Sequence, residues 1–135
     1  MEIEKANLKI NSSRNFEIID ITGEIQNLCK IKNGIVNVFT RHSTSAIVIN
    51  ENEKGLLRDF EKTLKGLIPE NNGYAHDSID NNAHSHLKSF LLSSSQTVPV
   101  SNSKLDLGTW QSIFFIELDG PRNSRTVDLT FIGES

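Results

Sequence analysis

Residues 111–132 read QSIFFIELDGPRNSRTVDLTFI, two apolar runs separated by the turn sequence DGPRNS. Side chains alternate between the two faces of a strand, which puts Phe114 and Ile116 on one face and Phe115 and Glu117 on the other. A strand that is apolar on both faces is typical of a buried position in a sheet. This stretch therefore predicts two buried strands joined by a turn built from Asp, Gly and Pro.

The rest of the sequence predicts a single α+β domain that spans residues 1–135. Apolar residues at three- and four-residue steps indicate three helices, at 22–31, 53–67 and 83–91. Short β-branched and aromatic runs indicate further strands at 8–10, 16–19, 35–40, 46–49 and 98–100. The first two of these pair around the turn sequence NSSRN, and Asp80, Asn81 or Asn82 caps the third helix. Late strands that are mostly connected as hairpins favour a mixed, mainly antiparallel sheet or sandwich.

Composition and charge limit the kinds of molecule that we expect this protein to bind. The chain has 135 residues, 36% of them hydrophobic, which is enough for a core without metals or disulfides to hold it. Its net charge is −3, and Lys and Arg are scattered, so we expect neither nucleic acid nor membrane as a partner. No apolar run approaches the ~18 residues of a membrane span. With Cys29 as the only cysteine, these features predict a soluble, cytoplasmic protein.

A histidine-rich segment is the strongest functional signal. Residues 74–86 read YAHDSIDNNAHSH and hold His76, His84 and His86. On a helix the last two would differ in direction by about 200°, so only one could reach a given site, whereas in an extended chain both would point the same way. Asp77 and Asp80 are close enough in sequence to orient a metal-bound imidazole. Since the spacing fits no standard zinc motif, the segment is either a metal or acid–base site or a polar loop.

Two other polar residues lie at the ends of apolar strands. Glu117 is either a solvent-facing residue near a strand end or a carboxylate at the lip of a pocket, where it would act as a base or metal ligand. His42 follows the strand IVNVFT and precedes Ser43, Thr44 and Ser45, whose hydroxyls can donate hydrogen bonds to phosphate. A lone histidine at a strand end is more often structural.

Two residues outside these segments, Trp110 and Asp59, could have either a structural or a functional role. Trp110 precedes a buried strand, which favours core packing or a subunit contact over a stacking surface for a planar, pyrimidine-like ring. The apolar stripe of helix 53–67 is interpreted as core. Asp59, on the flank of this stripe, is interpreted as a hydrogen-bond anchor for a neighbouring group.

Several short blocks occur along the chain in a specific order. They are HSTSA at 42–46, NEN at 50–52, Asp59, IPE at 68–70, YAHD at 74–77, SHLKS at 85–89, LGTWQ at 107–111 and Glu117. In this combination the chain resembles the YjbQ family, to which a secondary thiamine-phosphate synthase activity is ascribed. Ser93 or Ser94 and Ser103 stand where the family usually has turn glycines, and altered turn geometry is the expected consequence.

The resemblance implies a compact α+β domain that assembles as a trimer, with a site near a subunit boundary. It also implies that His42, His76 and His86 gather in one pocket of metal-binding character, close to Glu117. Further pattern positions are occupied by Glu51, Asp59, Trp110 and Gln111. Arg122 and Arg125 come from a turn, DGPRNSR, that is variable in the family.

The leading hypothesis is a metal-assisted enzyme of small phosphorylated metabolites. His42, His76 and His86 would hold a divalent ion, either zinc or another transition metal, or magnesium together with a diphosphate substrate. Glu117 would be the base or a bridging carboxylate. The other catalytic candidates are His42 and Asp59. The substrate-binding candidates are Ser43, Thr44, Ser45, Trp110, Gln111, Arg122 and Arg125. In the thiamine reaction, a thiazole nitrogen would attack a pyrimidine methylene as diphosphate departs.

Two other classes of function stay open. In a metal-free enzyme, a histidine and Glu117 would do acid–base work and give a bell-shaped pH profile. A non-catalytic module would sense or store a metabolite or an ion, binding it without turnover. The sequence has neither a Gly-rich phosphate loop nor a DDxxD-like carboxylate run, so the activity ascribed to the family is weaker support than the histidine cluster.

Overall fold

A computed structural model describes all residues, 1–135, and contains eight strands and three α-helices. The strands are β1 (Glu2–Ile10), β2 (Glu17–Asp20), β3 (Asn33–Thr40), β4 (Ser45–Glu51), β5 (Ser95–Ser101), β6 (Lys104–Leu105), β7 (Gln111–Glu117) and β8 (Arg125–Glu134). The helices are α1 (Thr22–Leu28), α2 (Lys54–Leu67) and α3 (Ala83–Leu92), with a short 3-10 turn at Ala75–Ser78. The predicted α+β fold with three helices is confirmed.

The strands form two sheets in which every pairing is antiparallel. One sheet has the order β1-β8-β3-β5-β6 and the other the order β2-β7-β4. Two expected connections are therefore wrong: β1 pairs with β8 and not with β2, and β7 and β8 lie in different sheets. The polar segments NSSRN and DGPRNS cross from one sheet to the other instead of closing hairpins.

Two apolar clusters divide the molecule into three layers. The larger cluster lies between the sheets and joins residues such as Val38 and Leu129 of the five-stranded sheet to Phe115 of β7. The smaller cluster lies on the other face of β7, where Phe114 and Ile116 pack towards α2 and α3. The alternation in QSIFFIEL thus places β7 in the middle layer, buried on both faces as predicted.

Helix α2 packs less closely than its sequence pattern predicts. Glu53 caps its start by accepting hydrogen bonds from the amides of Gly55 and Leu56, at 2.7 and 2.9 Å. Of the apolar stripe, however, only Leu64 is buried, and Leu67 is 65% exposed. The helix therefore stands partly clear of the sheet that it covers.

A buried ion pair joins the two sheets. The guanidinium of Arg125, on β8, binds the carboxylate of Glu117, on β7, through two hydrogen bonds of 3.0 and 2.5 Å. Ser12 donates to the same carboxylate at 2.6 Å, and the Asp119 amide donates at 3.1 Å. Burial raises the pKa of Glu117, but the hydrogen bonds from Arg125 and Ser12 outweigh it, and the pKa lies below the ordinary value.

Tight backbone geometry surrounds this pair and the end of α3. A Cβ on Gly120 would come within 2.8 Å of both the Glu117 side chain and the Ser12 hydroxyl, so only glycine fits there. Ser93 and Ser103 have φ values of 83° and 68°, in the region that favours glycine. These serines therefore hold a positive-φ backbone at a cost in strain, and the expected difference from the family's turn geometry stays a prediction.

We predict that Glu117→Gln lowers the free energy of unfolding by about 3–5 kcal/mol, because it leaves the Arg125 guanidinium buried without a counter-charge. The lowered pKa of Glu117 adds a pH dependence: stability is present above the ordinary value of 4.5 and is lost as the pH falls below it. Urea unfolding at several pH values measures both effects. As the control, Glu61→Gln disrupts the surface pairs with Lys65 and Arg14 and should cost less than about 1 kcal/mol. Equal losses in the two variants would contradict the assignment.

Candidate histidine site

Two of the four histidines lie against each other at the start of α3. His76 belongs to the 3-10 turn and His86 to α3, and their ring centroids are 4.9 Å apart in an edge-to-face arrangement. His84 points away from them and contacts Lys88, its Nδ1 lying 2.8 Å from the lysine Nζ. The helical alternative for residues 84 and 86 is therefore correct, and His86 is the one that reaches the site.

The hydrogen-bond partners of His76 determine which of its nitrogens is free. Asn82 donates through Nδ2 to the carboxylate of Asp119 at 2.9 Å, so its Oδ1 faces His76 Nε2, at 3.1 Å. Since Oδ1 can only accept, Nε2 carries the proton and Nδ1 keeps the lone pair. Asn82 lies at the N-cap position of α3 without capping it, because Asp77 instead accepts from the Ala83 amide at 3.0 Å.

Two recesses meet at His86. The first has a volume of about 390 Å³, and its lining residues are Tyr74, Ala75, His76, Ala83, His86, Leu87 and Phe90. The second, of about 370 Å³, is lined by Ser43, His86, Ser89, Phe90, Ser93 and Ser94. The His86 side chain makes no hydrogen bond within the chain. An imidazole pair thus lies beside a hydroxyl-rich recess, which is suited to an oxyanion such as phosphate.

His42 does not join this pair. Its Nε2 accepts a hydrogen bond of 3.0 Å from the backbone amide of Thr126, so the proton of the neutral ring is on Nδ1. Burial, followed by the positive charge of Arg125, lowers the pKa of His42. Protonation would also break the bond to Thr126, so this histidine opposes folding as the pH falls below its ordinary value of 6.5. No lone pair of His42 is free for a metal in this arrangement.

The residues around His42 form an interior network rather than an open site. Thr44 accepts from Arg125 at 2.9 Å, and the Ser45 hydroxyl bonds to Thr40 and to the His42 carbonyl. Glu117 is fully buried, which makes it neither a solvent-facing residue nor the lip of a pocket. These side chains are engaged with one another, whereas Ser43 alone among the three hydroxyl residues lines a recess.

The remaining candidates lie in three separate places. Arg122 is exposed and pairs with Asp119 at 3.0 Å, on the far side of Asn82 from His76. Trp110, which is 72% exposed, and Gln111 lie at the other end of β7, roughly 20 Å along the strand from Glu117. The core-packing interpretation of Trp110 is therefore wrong. Asp59 is exposed on α2 and has no hydrogen-bond partner, so the structure does not support its role as an anchor.

Lys88, which is buried and contacts His84, was not singled out from the sequence. Its side chain is only 2% exposed, and burial lowers its pKa. Burial, followed by the charge of Lys88, also lowers the pKa of His84, whose Nε2 lies 3.8 Å from the exposed carboxylate of Glu70. The four-residue spacing within HSHLK predicts that these side chains share a helix face, but it does not indicate that the face is buried.

The fold and the histidine pair define a small α+β protein with two layers of antiparallel sheet and a recess at the start of α3. The profile of the family described as "UPF0047 protein YjbQ-like" matches residues 6–134. A UPF0047 protein of Methanothermobacter thermautotrophicus is 57% identical over 128 residues, covering 93% of this chain and 90% of the relative. A UPF0047 protein of Archaeoglobus fulgidus is 47% identical, covering 89% and 95%. The chain belongs to the UPF0047 (YjbQ-like) family.

Solved structures agree with this assignment. A Sulfolobus solfataricus protein described as YbjQ-like and of unknown function superposes with a TM-score of 0.96 at 39% identity, covering 98% of this chain and 99% of the other. A hypothetical protein of Aeropyrum pernix gives 0.93 at 34% identity, covering 97% and 99%. None of the helices combines the length and apolar character needed to cross a membrane.

We predict that at about pH 8, where imidazoles are neutral, nitrogen NMR assigns His76 to the Nε2–H tautomer and His42 to the Nδ1–H tautomer. The reason is that His76 Nε2 faces the Asn82 Oδ1, which can only accept a hydrogen bond, whereas His42 Nε2 faces the Thr126 amide, which can only donate one. In Asp119→Ala the Asn82 amide loses its anchor, and His76 becomes a mixture of tautomers while His42 is unchanged. A wild-type His76 that is mainly Nδ1–H would contradict this arrangement.

Proposed function

We propose that this protein is a cytoplasmic, metal-assisted enzyme of small phosphorylated metabolites, in which His76 and His86 supply the protein ligands. The observation that carries the proposal is the contact of the two imidazoles at 4.9 Å, with Asn82 holding the proton of His76 on Nε2. An outer partner of this kind commonly orients a metal-bound histidine. Nδ1 of His76 and the ring of His86 are the donors left free.

Imidazole donors fit zinc, nickel, copper or iron better than magnesium, which would be held mainly by substrate phosphates. A bound ion would supply Lewis-acid stabilisation of the negative charge on a departing phosphate oxygen. No group of three or more His, Cys, Asp or Glu side chains lies together in one chain. We therefore replace the three-histidine ligand set by two histidines, with the other positions left to substrate or to a neighbouring subunit.

The serine-lined recess beside His86 supports a phosphorylated substrate. The hydroxyls of Ser43 and Ser94 make no hydrogen bond within the chain and could donate to a phosphate, whereas Ser89 donates its proton to the Ser45 carbonyl at 2.7 Å. Arg122 is an exposed cation that is connected to His76 through Asp119 and Asn82, whereas the guanidinium of Arg125 is buried. Joining a pyrimidine diphosphate to a thiazole phosphate is a candidate secondary activity. In that reaction a C–N bond forms at the methylene, and the C–O bond to diphosphate breaks.

A second candidate function is acid–base catalysis without a metal. It is favoured by the same pair of rings. The Nε2–H of His76 is held by Asn82 while its Nδ1 is free, and the side chain of His86 makes no hydrogen bond within the chain. One ring would then take up a proton while the other gives one up. Ligand storage or sensing without turnover is the non-catalytic outcome.

Metal content separates these candidates. We expect elemental analysis of untagged protein to find about one equivalent per chain, and His76→Ala and His86→Ala each to lose it. His42→Gln keeps an acceptor for the Thr126 amide, so it should retain the metal and is the matched control. Loss of metal in His42→Gln, with a native circular dichroism spectrum, would restore the three-histidine site.

A metal-free wild type, even after soaking with zinc, nickel and manganese, would contradict the leading proposal. A bell-shaped pH dependence of turnover, abolished in both alanine variants, would then support the acid–base candidate. Saturable binding of phosphorylated compounds without turnover would support the binding module.

We also propose that the chain assembles as a homotrimer through the exposed face of α3. Phe90 is 85% exposed, Leu91 57% and Leu87 37%. Leu87 and Phe90 line the histidine recess, and all three line the recess next to it. A contiguous apolar surface of this kind is typical of an interface. We expect light scattering to give the mass of three chains, and Phe90→Asp to give a monomer. Ile79→Asp, at another exposed apolar residue, is the control; a monomeric wild type would contradict the proposal.

A further inference from the structure

Another cavity, separate from the recesses at His86, lies between α2 and the outer face of the three-stranded sheet. Its volume is about 410 Å³, and its base is formed by Val48, Phe114 and Ile116 of the sheet. Leu57 and Phe60 of α2 form the opposite wall. The cavity exists because only Leu64 of the apolar stripe on α2 is fully buried, so the helix does not close onto the strands.

The size and lining of the cavity are those of a ligand pocket. Protein interiors are packed as densely as organic crystals, so a gap of this volume between two layers is not ordinary packing. Small-molecule sites range over roughly 300–1,000 Å³ and combine apolar walls with a few polar groups. Here nine of the thirteen lining residues are hydrophobic. None of the thirteen lines the histidine recess, so the cavity is a separate site.

Two carboxylates give the cavity its charge. Glu51 and Asp59 are the only charged residues in its lining, and neither makes a salt bridge or a side-chain hydrogen bond within the chain. Asn50 and Thr63 are the other polar residues of the lining. Glu51 is half-buried and Asp59 is exposed, so neither residue belongs to the buried apolar core. A positive group on a ligand would find unpaired counter-charges there.

We propose that this cavity binds a small amphiphilic cation, an apolar chain or ring that carries an ammonium group. The apolar part would occupy the space between Val48, Phe60 and Ile116, and the ammonium would lie between the carboxylates of Glu51 and Asp59. The proposal does not depend on the histidine site, since it uses none of its residues.

The test compares three probes of equal chain length: octylammonium, octanol and octanoate. Calorimetric titration of the full chain is expected to give saturable binding of octylammonium, about tenfold tighter than octanol, with octanoate weakest. Methyl NMR signals of Val48 and Ile116 should shift during the titration, while those of Val127, in the other core, should not. Failure of octylammonium to saturate, or equal affinity for octanoate, would overturn the proposal.

Variants then locate the site. The double variant Glu51→Gln, Asp59→Asn should bind octylammonium no more tightly than octanol, whereas Asp106→Asn, which removes an exposed carboxylate outside the cavity, should keep the preference. Val48→Phe fills the space and should abolish binding of both probes without lowering the melting temperature. Unchanged binding in folded Val48→Phe would overturn the proposal. If Val48→Phe does not fold, the methyl shifts of the wild type decide alone. Methyl signals that move with protein concentration and not with probe would assign the cavity to self-association instead.

Discussion

The buried pair of Glu117 and Arg125 is the interaction on which the rest of the molecule depends. It links the middle layer to the five-stranded sheet through charge-assisted hydrogen bonds, in an interior where an unpaired charge would be strongly destabilising. The carboxylate also holds the Asp119 amide, and the Asp119 side chain in turn holds Asn82. Because Asn82 fixes the proton of His76, a continuous series of hydrogen bonds runs from the core to the histidine recess.

The polar residues of the motifs fall into two groups, those that are hydrogen-bonded in the interior and those that keep free nitrogens at the surface. His42, Thr44 and Ser45 lie in HSTSA but are engaged with the interior, and His42 accepts from the amide that follows Arg125. His76 and His86 come from the later blocks and keep free nitrogens at the surface. Residues that occur together in a family pattern need not act together in chemistry, since some of them build the scaffold that positions the others.

The sequence predicted local structure well and long-range partners poorly. Alternation in QSIFFIEL correctly predicted a strand buried on both faces. The helical alternative correctly predicted that His84 and His86 point in different directions, but the choice of His86 came from the family resemblance and not from periodicity. Neither pattern contains the pairing of β1 with β8 or the ion pair between β7 and β8, because these contacts join residues far apart in the chain. The same limit explains α2: its apolar stripe predicts a helix face, but not how closely the sheet approaches it.

In the proposed metal site, a single chain supplies only two imidazole ligands. Two imidazoles would be too few for a tetrahedral ion, so further donors would have to come from substrate, water or another subunit. The exposed ring of Phe90 borders both recesses at His86, which places apolar surface suited to a subunit contact beside this histidine. Assembly and chemistry would then be coupled, because a neighbouring chain covering Phe90 would also exclude water from His86 and strengthen every electrostatic interaction in the recess.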